Sequence, residues 1–349
     1  MYCHESIKKD YSWIKRVCVI DSSYSLLIYF LISTEEEIQS TYYFWGDGIP
    51  QTVRDNFKGR STYFPEKKSH LSMNLYRNIK LHLSQLYNYY ISFYIRYPFL
   101  KNKNIEYWGH DHLNYSPYVI HKNKLNIIED GTTNYFGINP TPHSNRIKNY
   151  IFLGPLGIRE QYRFQQKTVN SEYLTGLDNN SPAMHSDKAV VISIKQKWEE
   201  SDESKKKKIL YYYNLTKEDL NCLHNCDSVL ITQTFSEDNI MSEEDKVEMY
   251  KRLISGIEID HLLIKPHPRE TTNYKLYFPN ANVFIKKIPI QLFELCNITF
   301  KKVYTVFSTA VFSFKDAEVV FWGAEVDDRI LKRFSSYTSE NLNRRYHTN

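Results

Sequence analysis

Two stretches place ionisable groups where apolar runs stop. In Leu125-Asn126-Ile127-Ile128-Glu129-Asp130-Gly131-Thr132-Thr133 an apolar segment runs directly into two carboxylates and a glycine. Asp130 then stands at the carboxyl end of a strand, and Gly131 lets the chain turn away from it. A carboxylate held there can act as a general base, because burial and a like-charged neighbour tune its proton affinity. The same residues also fit an ordinary strand-to-turn junction, where Asp-Gly is common. In Leu262-Leu263-Ile264-Lys265-Pro266-His267-Pro268-Arg269 a second apolar run ends in basic residues. The prolines on either side restrict the backbone around His267. Lys265, His267 and Arg269 gather positive charge and hydrogen-bond donors at one strand end, which is what a departing phosphate needs. The competing reading is a rigid loop with basic surface residues.

Four further stretches have weaker chemistry. Val303-Tyr304-Thr305-Val306-Phe307 leads into Ser308-Thr309, which is expected to open a helix and offer a phosphate its free N–H groups; a plain N-cap explains them equally. Glu294, between Phe293 and Leu295, can accept hydrogen bonds from ribose hydroxyls or simply face solvent. Trp108-Gly109-His110-Asp111-His112 follows a strand and can line a sugar pocket, with Trp108, His110 and Asp111 touching the acceptor. Gln233 and Thr234, followed by Phe235-Ser236-Glu237-Asp238, follow another strand and can touch a base or phosphate. By chemistry alone, Asp238 and Asp130 are both candidate bases.

These residues need elements to hold them. Strands are expected at Arg16–Asp21, Tyr42–Trp45, Ile105–Trp108 and Leu125–Ile128. Ser22 or Ser23 is expected to cap a helix over the apolar run Leu26–Ile32, and a long helix is expected from about Leu71 to Tyr97, stopped by Pro98. A second series follows from Tyr150–Leu153, read as a strand ending at Gly154, which is expected to approach the nucleotide. Its further strands are Ala189–Ile194, Ser228–Thr232, His261–Lys265, Val283–Ile285, Val303–Val306 and Val319–Phe321. Ser242–Leu253 opens like a capping box and reads as a helix. Alternation of short apolar strands with helices argues for parallel βαβ units. Two such series suggest an α/β chain of two doubly wound domains, residues 1–149 and 150–349, facing a central cleft, with ligands beyond the strands' carboxyl ends.

Composition sets outer limits. Of 349 residues, 42% are hydrophobic and 24% charged, enough for a sizeable core. Charge is +5, from 45 Lys and Arg against 40 Asp and Glu, which does not call for a nucleic-acid partner. The odd set Cys3, Cys18, Cys222, Cys226 and Cys296 suggests no disulfide framework, and the spacing of Cys222, His224 and Cys226 is poor for structural zinc. No Gly-rich dinucleotide or Walker loop appears. The polar N-terminus does not read as a signal peptide, and Leu26–Ile32 is too short to span a bilayer. The chain is expected to be cytoplasmic, at most peripheral to the inner face of the cytoplasmic membrane.

Taken together, these residues resemble the bacterial sialyltransferases of glycosyltransferase family 52 and the related families with acidic-acidic-glycine and histidine-proline motifs. Glu129-Asp130-Gly131 matches the first motif and His267-Pro268 the second, preceded by Lys265-Pro266. Ser308 and Thr309 resemble the pair that holds the nucleotide phosphate, and Glu294 the acid that holds the ribose. The resemblance implies a GT-B fold of two Rossmann-like domains, with the acceptor on the N-terminal one, near Glu129 and Gly131, and CMP on the C-terminal one. It implies inverting transfer of sialic acid from CMP-sialic acid to a galactose-type hydroxyl of a lipooligosaccharide or capsular glycan, with no metal or other cofactor. Asp130 would be the base, favoured over Asp238 by the motif, and His267 would stabilise or protonate the leaving phosphate. A homodimer is compatible with the resemblance. Rival readings are a CDP-glycerol-type glycerophosphotransferase, a transferase for another CMP- or nucleotide-activated sugar, and a non-catalytic glycan-binding protein.

Overall fold

A computed structural model describes residues 10–65, 75–308, 310–311, 314 and 316–346. The chain divides into two compact units, Met1–Lys206 and Lys207–Asn349. The first is built on seven strands: β1 (Arg16–Ile20), β2 (Thr41–Trp45), β3 (Ser61–Tyr63), β4 (Glu106–Gly109), β5 (Leu125–Ile128), β6 (Val169–Leu174) and β7 (Ala189–Val191). They pair in the order β3-β2-β1-β4-β5-β6-β7, every pair parallel. A parallel sheet covered on both faces needs strands apolar throughout. Val17-Cys18-Val19-Ile20 and Tyr42-Tyr43-Phe44-Trp45 meet that need and are buried along their length.

The second unit holds β8 (Ser228–Ile231), β9 (Leu262–Lys265), β10 (Asn282–Val283), β11 (Lys302–Thr305) and β12 (Glu318–Phe321), ordered β10-β9-β8-β11-β12 and again all parallel. In each sheet the chain works outward in one direction, then returns to the middle and works outward in the other. The reversal lies between β1 and β4 in the first sheet and between β8 and β11 in the second. Strand-end loops diverge at such a point and leave a crevice that ligands occupy.

Local signals explain several helices. Ser22 caps the helix Ser23–Ile32 by accepting from the Ser25 N–H, and that helix is buried from Ser25 to Leu31. Ser242 likewise accepts from the Asp245 N–H at the start of Glu243–Leu253, which carries acids in its first turn and Lys251 and Arg252 in its last. The long helix is described from Leu75, its expected start at Leu71 lying outside the described residues. It runs as α-helix to Tyr87, a π-turn over Asn88–Ser92 and α-helix to Arg96, ending before Pro98 as expected.

Three expectations are corrected. Tyr150–Leu153 is not a strand but the last turn of the helix His143–Leu153; its bulky residues belong to a three-and-four spacing that starts at Ile147. Ala189–Ile194 stops as a strand at Val191, since Ser193 caps the next helix, Ile194–Glu200. The domain boundary lies after Lys206 and not near residue 150, because β6 and β7 complete the first sheet. Sequence reading left out both β3 and β6.

Candidate active-site clusters

In the first unit, the carboxyl ends of β1, β4 and β5 bring four titratable residues together. Gly109 ends β4 at φ +106, and a Cβ there would lie 2.0 Å from the Val19 carbonyl, so only glycine lets β4 close onto β1. His110 follows, fully buried. Its Nδ1 accepts the Asp21 N–H at 3.3 Å, across the point where the strand order reverses. That bond leaves the ring proton on Nε2, which is buried without a hydrogen-bond partner among the described residues. Burial pushes the His110 pKa down to about 4. Asp111 turns inward to Arg163 at 2.6 Å and Gln166 at 3.3 Å.

His112 joins this buried pair to Asp130. Its Nδ1 lies 3.4 Å from an Arg163 guanidinium nitrogen, which can only donate, and its Nε2 lies 3.5 Å from the Asp130 carboxylate. Asp130 keeps 26% of its side chain exposed. Its backbone N–H donates to Asn134 Oδ1 at 2.9 Å and its Oδ1 accepts from Ser25 Oγ at 3.4 Å. Burial alone would raise its pKa, but His110, His112 and Arg163 outweigh burial and hold it below the ordinary aspartate value. It is therefore ionised and partly open, a state suited to accepting a proton. One ring nitrogen from each of His110 and His112 and one Asp130 oxygen lie within 4.8 Å of one another, a spacing that suits a divalent cation. As hydrogen-bonded, however, both rings place N–H groups on Nε2, so the trio offers two donors and a carboxylate rather than three lone pairs.

Several residues expected to line an acceptor pocket are placed as supports instead. The Glu129 carboxylate is fully buried. It accepts from Tyr24 Oη at 2.7 Å, Tyr135 Oη at 2.5 Å and the Thr175 N–H at 2.5 Å. Trp108 packs into the core against Tyr29 and Tyr173, with Arg16 over its ring. Trp108 is buried within β4, and Glu129 is buried directly after the end of β5. His110 and Asp111 are buried below Asp130. Gly131, at φ +75 with open space around a would-be Cβ, makes the turn expected of it.

In the second unit, β9, β8 and β11 are neighbours, so Lys265, Gln233 with Thr234, and Ser308 follow adjacent strand ends. Gln233 Oε1 accepts the Phe307 N–H at 3.0 Å and so ties the β8 and β11 loops across the reversal point. His267 Nδ1 accepts the Arg269 N–H at 3.2 Å, which fixes the proton on Nε2 and leaves that N–H without a partner among the described residues. Part of the ring surface is open, yet most of it is enclosed. That enclosure, then Arg269 and Lys265, pushes its pKa down to about 3. Lys265 is buried. Its Nζ donates to the Pro266 carbonyl at 2.8 Å, and burial pushes its pKa down to about 7. Thr234 donates to Asp238 at 2.7 Å, and Arg269 pairs with Asp238 at 3.1 Å. Asp238 is therefore committed to a cation.

Pro268 is half-buried in the same loop, and Ser308 N donates to Thr305 Oγ1 at 3.1 Å. Glu294 lies half-buried on the short helix Gln291–Leu295, and Thr309 lies outside the described residues. Gly154 is not with these groups. It belongs to the first unit, where it closes the helix His143–Leu153 against the Tyr89 ring.

The sequence model of glycosyltransferase family 52 matches residues 59–327, a span that contains both motifs and Ser308. The chain belongs to glycosyltransferase family 52. An uncharacterized protein of Haemophilus influenzae is 30% identical to it over 338 residues, which is 94% of this chain and 100% of that one. Among solved structures, the GT-B domain of a Photobacterium damselae sialyltransferase aligns over 94% of this chain and 97% of its own, at 13% identity and a TM-score of 0.51. A 2,6-sialyltransferase of a Photobacterium species, solved with CMP and lactose, covers 88% of this chain and 71% of its own at 12% identity and a TM-score of 0.53. At these identities the likeness carries the fold, and the fold is the GT-B type that the motifs led us to expect.

The supports that hold this family 52 chain's His-Pro loop escaped the sequence reading. Lys246 is completely buried, 3.0 Å from Glu237 and 3.1 Å from Glu270. Those two carboxylates accept loop N–H groups, Glu270 from His267 at 2.7 Å and Glu237 from Thr271 at 2.8 Å. Thr232 and Tyr274 also donate to Glu270. One signal was available: on a helix, Lys246 shares a face with Met249, Tyr250 and Leu253, where a solvated lysine has no place. For Arg163, Asn134 and Ser25 the local sequence carries none.

Proposed function

We propose that the chain is an inverting sialyltransferase that transfers sialic acid from CMP-sialic acid to a galactose-type hydroxyl of a lipooligosaccharide or capsular glycan. Family membership and the fold shared with sialyltransferases support this reading. The observation that carries it is His267, a neutral imidazole whose only unengaged nitrogen bears a proton and sits beside Lys265 at a strand end.

In the proposed reaction the acceptor oxygen bonds to the anomeric carbon as the bond from that carbon to the CMP phosphate oxygen breaks. The electron pair leaves with CMP, and Asp130 takes the acceptor's hydroxyl proton. A neutral imidazole with so low a pKa is a poor proton source, so His267 acts by donating a hydrogen bond to the phosphate oxygen as charge collects there. Lys265 adds charge to the same oxygen cluster, and Ser308 and Thr309 are proposed to bind it too. Glu294, Gln233, Thr234 and Pro268 are proposed to contact the rest of the nucleotide. With these donors in place, no metal is required.

The test is incubation with CMP-sialic acid and a panel of galactosides, including lactose, with EDTA present and mass detection of product and free CMP. Sialylated product is expected in EDTA. A product that gains phosphorus with CDP-glycerol as donor would favour a glycerophosphotransferase. CMP binding without turnover across the panel would favour a non-catalytic glycan-binding protein.

A further inference from the structure

The turn that carries Asp130 is tied to a second buried acid. Asn134 closes the short helical turn Gly131–Asn134 that follows Asp130, and its side chain is engaged at both ends. Its Oδ1 accepts the Asp130 N–H at 2.9 Å, and its Nδ2 donates to Glu172 Oε1 at 2.9 Å. A backbone N–H can only donate, so it fixes which way the amide points and makes Glu172 the acceptor. Both residues are closed to solvent, Asn134 being 1% exposed and Glu172 0%. The other oxygen of Glu172, Oε2, is buried without a hydrogen-bond partner among the described residues. An apolar side chain would fill this place on β6 without the cost of burying a carboxyl group.

The charges facing Glu172 leave it balanced between two states. Burial is the largest influence, and it pushes the pKa up to about 7 against the Asn134 amide and the Arg163 guanidinium, with Asp111 and Glu129 adding to the rise. Arg163 is itself paired with Asp111 at 2.6 Å. Lys188, just before β7, gives its ammonium to the Phe164 and Gln166 carbonyls instead. Protonated, Glu172 offers Asn134 a neutral carbonyl oxygen. Ionised, it makes a charge-assisted bond, which polarises the amide and strengthens the hold of Asn134 Oδ1 on the Asp130 N–H. The added negative charge also favours the proton that Asp130 gains in the reaction.

We propose that Glu172 is a positioning residue of the transfer reaction, acting through Asn134 on the turn that carries Asp130, and that turnover is faster when Glu172 is ionised. The role rests on the reading of Asp130 as the base.

Two measurements separate the link from its use. In the full chain isotopically labelled at aspartate nitrogen, the Asp130 amide resonance, identified by its absence from Asp130→Asn, is expected to move as pH passes about 7 and to stay still in Glu172→Gln. In steady-state assays at saturating donor, the parent's kcat is expected to rise through the same range. Glu172→Gln keeps the acceptor oxygen and mimics the protonated acid. It should match the parent in turnover and thermal unfolding below that range, and turn over roughly three- to tenfold more slowly above it, with the acceptor KM unchanged. Asn134→Asp sets two buried carboxyl groups against each other and should lose turnover. Adding Glu172→Gln should restore it, because the new amide can donate to the new carboxylate while that carboxylate still accepts the Asp130 N–H. An Asp130 amide that ignores pH, a Glu172→Gln profile parallel to the parent's, or no recovery in the double variant overturns the proposal. Near-parental turnover in Asp130→Asn, or none with CMP-sialic acid in the parent, removes the role as well; an Asp130 amide that still follows Glu172 then marks the failure as one of the reading of the base and not of the link.

Discussion

The adjacent acids Glu129 and Asp130 should fail in opposite ways when replaced. Glu129→Ala deletes an acceptor that serves the Tyr24 and Tyr135 hydroxyls and the Thr175 N–H. Two of these keep a fallback: the Thr175 N–H has Tyr135 Oη at 3.1 Å, and Tyr24 has Thr175 Oγ1 at 3.0 Å. Among the described residues the Tyr135 hydroxyl proton has no second acceptor and is stranded in a buried site. A stranded buried donor costs about 1–3 kcal/mol and weakened neighbours add to it, so with the cavity left behind we expect a loss of about 3–5 kcal/mol. Glu129→Gln should cost about 1 kcal/mol. Its amide oxygen can meet Tyr135 and the Thr175 N–H, while its NH2 faces hydroxyls that can rotate to accept. Burial raises the Glu129 pKa above 4.5, so the folded state holds a proton that the unfolded chain releases first. The parent's stability therefore falls as pH rises through that range, and its advantage over Glu129→Gln narrows. Urea unfolding followed by tryptophan fluorescence isolates the relevant unit, because Trp13, Trp45, Trp108 and Trp198 lie in the first and only Trp322 in the second. Glu129→Ala with parental unfolding but little turnover would refute this reasoning and place Glu129 against substrate.

Asp130→Asn should do the reverse, cutting turnover by roughly two to four decades with little change in unfolding or CMP affinity; Asp238→Asn should cost less than about one decade. If Asp238→Asn is the more damaging in steady-state assays, the base is misassigned. CMP affinity, read by calorimetry, should fall as pH rises through about 7, where buried Lys265 gives up its charge, and should lose that dependence in Lys265→Met; an identical pH profile in the variant would clear Lys265 of the role. Lys246→Met leaves Glu237 and Glu270 facing each other without their cation and should destabilise the second unit by about 3–5 kcal/mol. Adding Glu270→Gln should recover part of that loss in denaturant titrations followed at Trp322, and no recovery would mean the pair does not act through charge.

The sheets were legible wherever a strand is buried on both faces, since continuous apolar runs such as Arg16–Ile20 and Leu262–Lys265 have few other uses. β6, Val-Asn-Ser-Glu-Tyr-Leu, hides because its polar members meet specific partners, Glu172 accepting from Asn134 at 2.9 Å. Without β6 the boundary moved to residue 150, where Tyr-Ile-Phe-Leu imitates a strand through β-prone residues while its helical spacing begins three residues earlier. Asp130 and His267 could be singled out from sequence as candidates because strand ends in such sheets face ligands. The direction of a side chain could not. Glu129 and Asp130 are neighbours of the same charge, and partners far along the chain, Tyr24 and Thr175, hold Glu129 in its buried place. Arg163 reaches Asp111 from 52 residues away, a distance local patterns do not bridge.

The buried lysine of the second unit also constrains how this sequence can change. Losing Lys246 alone leaves Glu237 and Glu270 inside the unit without their cation, a loss that is large against the few kcal/mol by which most domains stay folded, whereas losing either acid alone keeps Lys246 paired with the other but strips a loop N–H of its acceptor. An apolar replacement of the whole trio need not be unstable, but a route that begins at Lys246 passes through two buried carboxylates without a cation, so an acid has to change first. The arrangement is therefore easy to keep and hard to leave by single steps. Variation in this unit should accumulate around Lys246 and its partners, and a homologue that lacks Lys246 should lack at least one of the two acids as well.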